Sequence, residues 1–376
     1  MEEIKKIAIL TSGGDCCGLN AVIESVTKTA IQKGYEVIGF ESGYDGLYEN
    51  KFVELTVNTV KHLGSRGGSI LRNSNKTNLF NHRVKLEDGT VVYRDDSAVA
   101  IENLKKDNVD CLIIVGGDGS MTSARDFMRA GVKVVCIPKT IDNDVPYTDQ
   151  TFGYSTAVAS IADALSCVYT TGHSHDRIMV LEVMGRHAGW LALEGGIAGE
   201  ADIIIIPEIP YSLEGIANKL IERYKRGHNS SIICVSEGAA PKDGEIISYQ
   251  NNDYPDSVKL GGIGAKLAHD LERIVMPITN QEVRSTSLGY VQRGGNTNSF
   301  DKVLSFRYGS FAVEAIEKGE FGKMVALRGE ELAMIPLINV VGDGPTGETS
   351  KGGNKNVNLD CDLIRCAKSM GIYLGE

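Results

Sequence analysis

The chain has 376 residues, of which 42% are hydrophobic and 43 are glycine, and this composition predicts an ordered α/β protein with two domains. Its formal net charge of −10 argues against a general binder of nucleic acid or of anionic membranes, because neither polyanion attracts an acidic surface. The eight cysteines form no CxxC pair, no apolar run approaches the ~20 residues that cross a bilayer, and no signal peptide precedes the first strand. We therefore expect a soluble, cytoplasmic protein with reduced thiols.

Apolar stretches alternate with helical patterns in the first half of the chain. This alternation predicts a mostly parallel sheet that helices cover on both faces. The predicted strands are 7–10, 35–40, 111–115 and 133–137, and the predicted helices are 19–33 and 98–108. Residues 64–81 are rich in Gly, Ser and Asn and are expected to form a long functional loop, and 85–93 is expected to form a hairpin.

A second α/β set begins after Asp149. Its predicted helices are 156–168 and 259–274, and its predicted strands are 177–183, 202–206 and 231–235. Two successive sets of this kind predict two similar lobes. Ligands of open α/β sheets bind at the carboxyl ends of strands, so the active site is expected in the cleft between the lobes.

Glycine-rich turns follow two of the predicted strands. The Gly13–Gly14 turn can present backbone N–H groups to a phosphate, and a plain strand-to-helix turn is the alternative. The run Gly-Gly-Asp-Gly-Ser at 116–120 is more specific, because its glycines let an anion approach the backbone. Asp118 in this run can hold Mg²⁺ directly or through water. The sequence therefore predicts a phosphate and metal site here.

An acidic loop follows the predicted strand 133–137. A kinase that acts on an alcohol needs a carboxylate within hydrogen-bond reach of the attacking hydroxyl. Asp142 is the candidate base, and Asp144 can orient it or act through the metal. The alternative is an Asx-turn, since Asp and Asn favour loops regardless of function. The two loops together predict phosphoryl transfer.

Four arginines lie at strand starts or in glycine-containing turns, namely Arg177, Arg186, Arg284 and Arg293. The guanidinium fork binds phosphate bidentately and can stabilise charge on a transferring phosphoryl group, which favours an anionic substrate. For any single arginine a surface ion pair is the alternative. Glu237, after the strand 231–235, can accept sugar hydroxyls, and a structural N-cap is its alternative role.

Taken together, these segments resemble the 6-phosphofructokinase family. The match runs from Lys6 to roughly Phe311, and its motifs follow the family's order at similar spacing. The motifs are TSGGD, GYDGLYE, RGGSIL, GGDGS, KTIDND, TFGYSTA, EVMGR, SEG and LGYVQRGG.

The resemblance implies two Rossmann-like lobes and a homotetramer or homodimer that shares sites across an interface. Residues 1–153, completed by about 293–340, would form the lobe that binds the phosphoryl donor. Residues 154–292, completed by about 341–376, would form the lobe that binds fructose 6-phosphate. The implied reaction is the glycolytic, Mg²⁺-dependent transfer of the ATP γ-phosphoryl group to the sugar 1-hydroxyl.

The resemblance also implies roles for individual residues. Asp142 would take the proton from the 1-hydroxyl, with Thr140 and Asp144 beside it, and Arg186 would stabilise the transferring group. The residues implied to hold fructose 6-phosphate are Thr140, Asp142, Met184, Gly185, Arg186, Glu237, Tyr290 and Arg293, with Arg177 and Arg284 reaching its phosphate from a neighbouring subunit. Those implied around the donor and Mg²⁺ are Gly13, Tyr44, Gly117, Asp118, Gly119, Ser120 and Lys139.

The choice of donor depends on two of these positions. In the family, a glycine such as Gly119 leaves room for the α-phosphate of ATP, whereas an aspartate there favours pyrophosphate. Lys139 is typical of the pyrophosphate enzymes. We rank ATP first, because a steric block excludes a nucleotide while an added cation need not. The family's donor-site arginine falls on Asn75, and Arg72 or Lys76 is its candidate replacement.

Three rival functions make different demands on the sequence. An NAD or lipid kinase also uses GGDG but would not explain KTIDND or LGYVQRGG. A Rossmann dehydrogenase would need a GxGxxG fingerprint, which the Gly13–Gly14 turn does not supply. A non-catalytic regulatory subunit would be expected to lose Asp142, Asp144 or Arg186, and all three are present.

Overall fold

A computed structural model describes residues 4–250, 258–347 and 353–376. The strands in these residues are β1 Lys6–Thr11, β2 Glu36–Phe40, β3 Phe52–Glu54, β4 His82–Lys85, β5 Val91–Arg94, β6 Cys111–Gly116, β7 Val134–Pro138, β8 Ile178–Val183, β9 Ile203–Ile205, β10 Ser231–Ser236, β11 Ser248–Gln250, β12 Val258–Leu260, β13 Val283–Ser287, β14 Lys323–Arg328 and β15 Glu331–Pro336. The α-helices are α1 Leu19–Gln32, α2 Tyr44–Glu49, α3 Ser97–Lys106, α4 Asp118–Arg129, α5 Tyr154–Ser174, α6 Trp190–Ala198, α7 Leu213–Lys225, α8 Ile263–Thr279, α9 Ser299–Glu317, α10 Leu337–Val341 and α11 Asp362–Ser369.

The chain divides into two compact units. The first comprises residues 1–141, 145–155 and 293–354, and the second comprises 142–144, 156–292 and 355–376. The last boundary lies at 354/355, whereas the sequence analysis placed it near 340. The difference has a physical cause, because Arg125 of α4 is fully buried and donates to the carbonyls of Gly342 and Pro345. These bonds hold the residues after α10 in the first unit.

The first unit contains a seven-stranded sheet in the order β15-β14-β7-β6-β1-β2-β3. The five inner strands run parallel, and β3 and β15 pair antiparallel at the two edges. Every residue of β6 is buried, as expected for a parallel strand that helices cover on both faces. The predicted α/β class and mostly parallel sheet are confirmed.

The second unit contains a four-stranded parallel sheet in the order β13-β8-β10-β9. Its hydrophobic core includes Val180, Ile205 and Ile233 of the strands and Leu220 and Leu271 of the helices α7 and α8. Because all four strands run in the same direction, their carboxyl ends meet at a single edge of the sheet.

The predicted helix 259–274 is wrong at its start. Helix α8 begins at Ile263, and Val258–Leu260 instead pairs with β11. Gly261 and Gly262 have φ angles of 133° and 90°, which a right-handed helix cannot accommodate. The other predicted strands and helices are present, with shifted ends. The helix predicted at 156–168 corresponds to α5, which is longer at both ends. The hairpin predicted at 85–93 is formed by β4 and β5.

A helix that spans a bilayer must be both long and apolar. Across the described parts of the chain, none of the helices combines the length and the apolar character that a bilayer span requires.

Candidate active site

Three adjacent parallel strands in the first unit place the predicted donor residues at one edge of the sheet. β7, β6 and β1 are neighbours in the sheet order, and their carboxyl ends lead into residues 139–141, 117–120 and 12–15. Gly13 has a φ of 81°, and its N–H donates to the carbonyl of Ser74 at 3.0 Å. This left-handed turn favours glycine, which explains the residue type at the end of β1.

Gly13, Ser120 and Lys139 meet at this edge. A Cβ atom on Gly13 would lie 3.4 Å from Lys139 Nζ and 3.9 Å from Ser120 Oγ. The Lys139 side chain is almost fully buried, and its ammonium donates to the carbonyl of Gly14. The lysine is therefore tied to the turn that follows β1, with its positive charge beside the predicted phosphate site.

The GGDGS run forms the entry to helix α4. Gly117 is the N-cap, and the first two residues of the helix, Asp118 and Gly119, are exposed. A helix amino terminus carries unsatisfied N–H groups and a partial positive charge, both of which favour a bound anion. A Cβ atom on Gly119 would meet no atom within 4 Å, so the space above this residue is open. The loop can thus accept a phosphate chain close to its backbone.

Tyr44 supports this loop from inside the protein. Its side chain is buried, its hydroxyl donates to the carbonyl of Ser120 at 2.8 Å, and its ring stacks on Phe127. Burial raises the pKa of Tyr44 well above its usual value, so the phenol stays neutral. The sequence analysis grouped Tyr44 with the donor residues; in the structure its side chain orders the Asp118–Ser120 backbone.

A cavity of about 350 Å³ adjoins the turn after β1. It is lined by Gly13, Gly14, Asp15, Ser69, Arg72, Asn73 and Asn75. Arg72, one of the two candidate replacements for the family's donor-site arginine, therefore lines this cavity, and its φ of 59° is left-handed. Sequence reasoning missed Ser69 and Asn73, although the Gly, Ser and Asn content of 64–81 marked the loop that carries them.

Arg293 lies against the same turn. A Cβ atom on Gly14 would be 2.1 Å from Arg293 Nη1, so a side chain at this position would displace the guanidinium. Gly294, the residue after Arg293, has its carbonyl oxygen 3.2 Å from Cys17 Sγ. Cys17 lies just before α1, so this contact joins the segment after Arg293 to the start of that helix. The sequence analysis grouped Arg293 with the sugar-binding residues, and the structure assigns it to the first unit.

The second unit has its own cavity, of about 400 Å³, at the carboxyl ends of β13, β8 and β10. Its lining includes the predicted residues Met184, Glu237 and Tyr290. Tyr290 is 76% exposed, so most of its side chain lies at the surface of the cavity. The cavity also includes Glu182, Gly261, Gly262, Gly264 and the residues 285–287, which sequence reasoning did not single out.

The loop that carries Met184, Gly185 and Arg186 is packed tightly by the end of β10. Ser236 Oγ donates to the carbonyl of Gly185 at 2.6 Å, and Gly185 has a φ of 126°. A Cβ atom on Gly238 would lie 2.1 Å from the carbonyl oxygen of Arg186. Glycine at positions 185 and 238 therefore lets the backbones after β8 and after β10 approach each other closely. This close approach holds the backbone of Arg186 in place.

Glu182 is a buried acid that sequence reasoning missed. It is only 5% exposed within β8, and it accepts hydrogen bonds from the N–H groups of Gly262 at 3.0 Å and Gly264 at 2.7 Å. These bonds satisfy the amino terminus of α8 beside the cavity. A carboxylate inside the otherwise apolar strand Ile-Met-Val-Leu-Glu-Val was the signal that could have identified it.

The acidic loop is divided between the two units. Thr140 belongs to the first, where its carbonyl accepts from Thr151 Oγ1 at 2.8 Å. Asp142, Asn143 and Asp144 belong to the second, where the carbonyl of Asp144 accepts from the N–H of Lys355 at 2.8 Å. Asn143 has a left-handed φ of 52°, a conformation that Asn adopts more readily than most residues.

Arg177 and Arg284 do not reach the cavity of their own chain. Arg177 precedes β8, whose carboxyl end borders the cavity, and Arg284 adjoins the lining residue Ser285 without being part of the lining itself. The six residues of β8 span about 20 Å at ~3.3 Å per residue, which is longer than an arginine side chain. Both guanidinium groups instead pair with Glu282.

Comparison with known proteins identifies the family. A sequence profile described as phosphofructokinase matches residues 6–316. The chain is 54% identical over 378 residues to a Clostridium perfringens protein named ATP-dependent 6-phosphofructokinase 2, with 100% of both chains covered. It is 41% identical over 373 residues to the ATP-dependent 6-phosphofructokinase of Chloroflexus aurantiacus, covering 99% of this chain and 98% of that one.

Solved structures agree on the fold. The crystal structure of Pichia pastoris phosphofructokinase in the T-state matches with a TM-score of 0.75 at 29% identity, covering 90% of this chain and 36% of that one. The pyrophosphate-dependent phosphofructokinase of Nitrosospira multiformis matches with a TM-score of 0.78 at 19% identity, covering 99% and 93%. At that identity the second likeness concerns the fold alone. With this architecture, these strand-end sites and these relatives, the chain belongs to the phosphofructokinase family.

Proposed function

We propose that the protein is an ATP-dependent 6-phosphofructokinase. It transfers the γ-phosphoryl group of ATP to the 1-hydroxyl of fructose 6-phosphate and releases fructose 1,6-bisphosphate and ADP. The observation that carries this proposal is the full-length 54% identity to a protein of that name. The GGDGS loop on α4 and the acidic bend at 142–144 supply the two chemistries that the reaction needs.

Asp142 is the proposed base of the reaction. As the sugar oxygen attacks the γ-phosphorus, the O–H bond breaks and its proton passes to the Asp142 carboxylate. A new P–O bond forms while the bond between the γ-phosphorus and the bridging oxygen breaks, and ADP leaves with that electron pair. The Arg186 guanidinium stabilises the negative charge on the transferring group. Thr140 and Asp144 adjoin the base in sequence and hold it in place.

Asp118 is the proposed protein ligand for Mg²⁺. Mg²⁺ keeps several waters and binds through one or two carboxylates plus substrate phosphates, so a single exposed acid at the mouth of α4 fits it. When bound, the ion neutralises charge on the donor phosphates.

Gly119 supports ATP as the donor. The open space above it leaves room for an additional phosphate and its nucleoside, whereas a carboxylate there would repel them. Lys139 is compatible with ATP, because its ammonium is held by the carbonyl of Gly14. The test supplies fructose 6-phosphate and Mg²⁺ with ATP, GTP or pyrophosphate in parallel. We expect ATP to give the highest rate, and a pyrophosphate rate well above the ATP rate would overturn the donor assignment in favour of a pyrophosphate-dependent enzyme.

Arg177 and Arg284 are proposed to bind the sugar phosphate of a neighbouring subunit in a homo-oligomer. Neither belongs to the described lining of that cavity in its own chain, and both guanidinium groups pair with Glu282 instead, which supports this role. Mixed oligomers of Asp142→Asn and Arg284→Ala chains test it, because one hybrid site would combine both intact residues. We expect the mixture to regain activity that neither variant has alone. Two inactive variants that stay inactive after mixing would contradict sharing.

A further inference from the structure

A short C-terminal segment, residues 355–357, contacts the acidic bend within the second unit. The N–H of Lys355 donates to the carbonyl of Asp144 at 2.8 Å. Asp144 lies two positions from Asp142, so a backbone bond at this residue limits where the proposed base can move. The expectation for about 341–376 was that these residues complete the lobe that binds fructose 6-phosphate, and this contact connects part of them with the reaction.

Trp190 holds the same segment from the other side. Its indole Nε1–H donates to the carbonyl of Lys355 at 2.6 Å, and Lys355 Nζ lies 5.6 Å from the centroid of its ring. A cation at this distance from an indole face is attracted to it. Trp190 is the first residue of α6 and directly follows Gly189. Residue 355 is therefore bound through its N–H, its carbonyl and its ammonium group.

Glu208 ties residue 357 to the loop before α6. Its carboxylate accepts from the N–H of Val357 at 2.8 Å and from the N–H of Gly189 at 3.0 and 3.1 Å. A Cβ atom on Gly189 would lie 2.7 Å from Glu208 Oε2 and 2.4 Å from Ile206 Cβ. The absence of a side chain at Gly189 thus permits this approach. Hydrogen bonds from backbone N–H groups to a carboxylate are stronger than those to neutral acceptors.

These contacts join two of the proposed reacting groups. Gly189 lies three residues after Arg186 in the loop that follows β8, and residues 355–357 hold the bend that contains Asp142. We propose that Glu208 is a positioning residue for phosphoryl transfer, which connects the Arg186 loop to the segment that holds the acidic bend. This role rests on the function proposed above, since it concerns the same reaction.

The role predicts an effect on turnover more than on sugar binding. Loss of the carboxylate would leave the N–H groups of Gly189 and Val357 without this acceptor, and both backbones would shift. A displacement of about 1 Å at a reacting group can lower the rate ~100-fold. The carboxylate of Glu237 and the hydroxyl of Tyr290 lie on other segments, so most contacts proposed for the bound sugar would remain.

The first test compares Glu208→Ala, Glu208→Gln and a control, Glu222→Ala. Glu222 is a half-exposed acid of α7 that pairs with Arg226 and Lys219, and such surface pairs contribute little. We expect Glu208→Ala to lower kcat by ~10- to 100-fold, with KM for fructose 6-phosphate changing less than about threefold. Glu208→Gln should recover most of kcat, because its amide oxygen can still accept both N–H bonds. A Glu208→Ala kcat within twofold of wild type would overturn the proposal.

The second test uses the emission of Trp190, the only tryptophan in the chain. Release of residues 355–357 would expose the indole, so Glu208→Ala should shift its emission maximum to longer wavelength while Glu222→Ala does not. Should Glu208→Ala fail to fold, Trp190→Phe keeps an aromatic side chain, with a smaller ring, and removes the N–H donor to Lys355. Its kcat should fall ~3- to 10-fold, the effect of losing one net hydrogen bond.

Different results would overturn the proposed function and the proposed role of Glu208. A wild-type chain that phosphorylates no fructose 6-phosphate would overturn the proposed function and this role with it. An active wild type with unchanged kcat and emission in the Glu208→Ala variant would overturn the role alone. A lower melting temperature with unchanged kcat would show a purely structural contact, and would also overturn it.

Discussion

The cavities of the two units differ in what lines them. The cavity of the first unit is bordered by the Gly13–Gly14 turn, beside the glycine-containing start of α4. The cavity of the second unit presents the side chains of Met184, Glu237 and Tyr290. Their volumes are similar, at about 350 and 400 Å³, so size does not distinguish them.

This difference corresponds to two kinds of recognition. A phosphate chain carries charge and is bound well by backbone N–H groups and a helix amino terminus, which require glycine for close approach. A sugar presents hydroxyl groups at fixed positions and is distinguished by side chains that donate and accept hydrogen bonds. Substitution of Gly119 at the start of α4 should therefore act through steric clearance, and substitution of Glu237 in the second cavity through lost hydrogen bonds.

The largest expected effect comes from the acidic bend. Asp142→Asn keeps the shape of the side chain but removes the proton acceptor, so kcat should fall at least ~10³-fold. A coupled assay of fructose 1,6-bisphosphate formation measures this loss. Asp163→Asn, an exposed acid of α5, serves as the matched control, and urea unfolding should be unchanged in both variants. Activity above a tenth of wild type in Asp142→Asn would contradict the proposed base.

The second effect tests steric clearance at the start of α4. Gly119→Asp places a carboxylate in the open space above α4, and kcat/KM for ATP should fall ~100-fold through like-charge repulsion and lost room. Because a Cβ there meets no atom within 4 Å, Gly119→Ala should leave the free energy of unfolding nearly unchanged. Equal use of ATP by Gly119→Asp and wild type would show that clearance at this position does not select the donor.

The third effect tests hydrogen bonding at the cavity of the second unit. Glu237→Ala removes an acceptor for sugar hydroxyls, and hydrogen bonds to a charged group contribute ~1.5–3 kcal/mol, so KM for fructose 6-phosphate should rise ~10- to 100-fold. The Michaelis constant for ATP should stay within about twofold, since the residue belongs to the second unit. A larger change in the ATP constant than in the sugar constant would reverse the assignment of the two cavities.

The smallest effect concerns thiol reactivity, which follows burial rather than the division into units, since Cys234 of the second unit is buried as well. Cys16, Cys17, Cys111 and Cys136 of the first unit are all buried, and burial raises the pKa of Cys17 to about 11. Cys167 and Cys366 of the second unit are exposed. At about pH 8 a thiol reagent should label these two rapidly, while the buried thiols react only after unfolding. Rapid labelling in a peptide from the first unit would contradict the burial described for it.

Much of this arrangement was predictable, because it depends on local patterns. The apolar runs that became β1, β6 and β7 and the glycines and acids after them are contiguous in the sequence, so strand ends and loops could be assigned together. Helix α1 was predicted to within one residue for the same reason. The error at the start of α8 arose because the positive φ angles of Gly261 and Gly262 depend on the tertiary position of that turn.

Contacts between distant parts of the chain could not be predicted. The approach of Arg293 to Gly14 and the bond from Lys355 to Asp144 join residues more than 200 positions apart. No periodicity or motif encodes such pairs, since they form only when strands and helices pack. The same holds for the partners of Glu208: its place just after the end of a predicted strand is visible in the sequence, but its bonds to Gly189 and Val357 are not.

The open space above Gly119 has an evolutionary consequence. Two of the four glycine codons become aspartate codons by a single nucleotide change, and a Cβ atom at this position would meet no atom within 4 Å. A single substitution could therefore change the preferred phosphoryl donor from ATP to pyrophosphate, without a compensating change elsewhere in the chain. Selection on the cell's supply of phosphoryl donors, rather than on protein stability, would decide which residue persists.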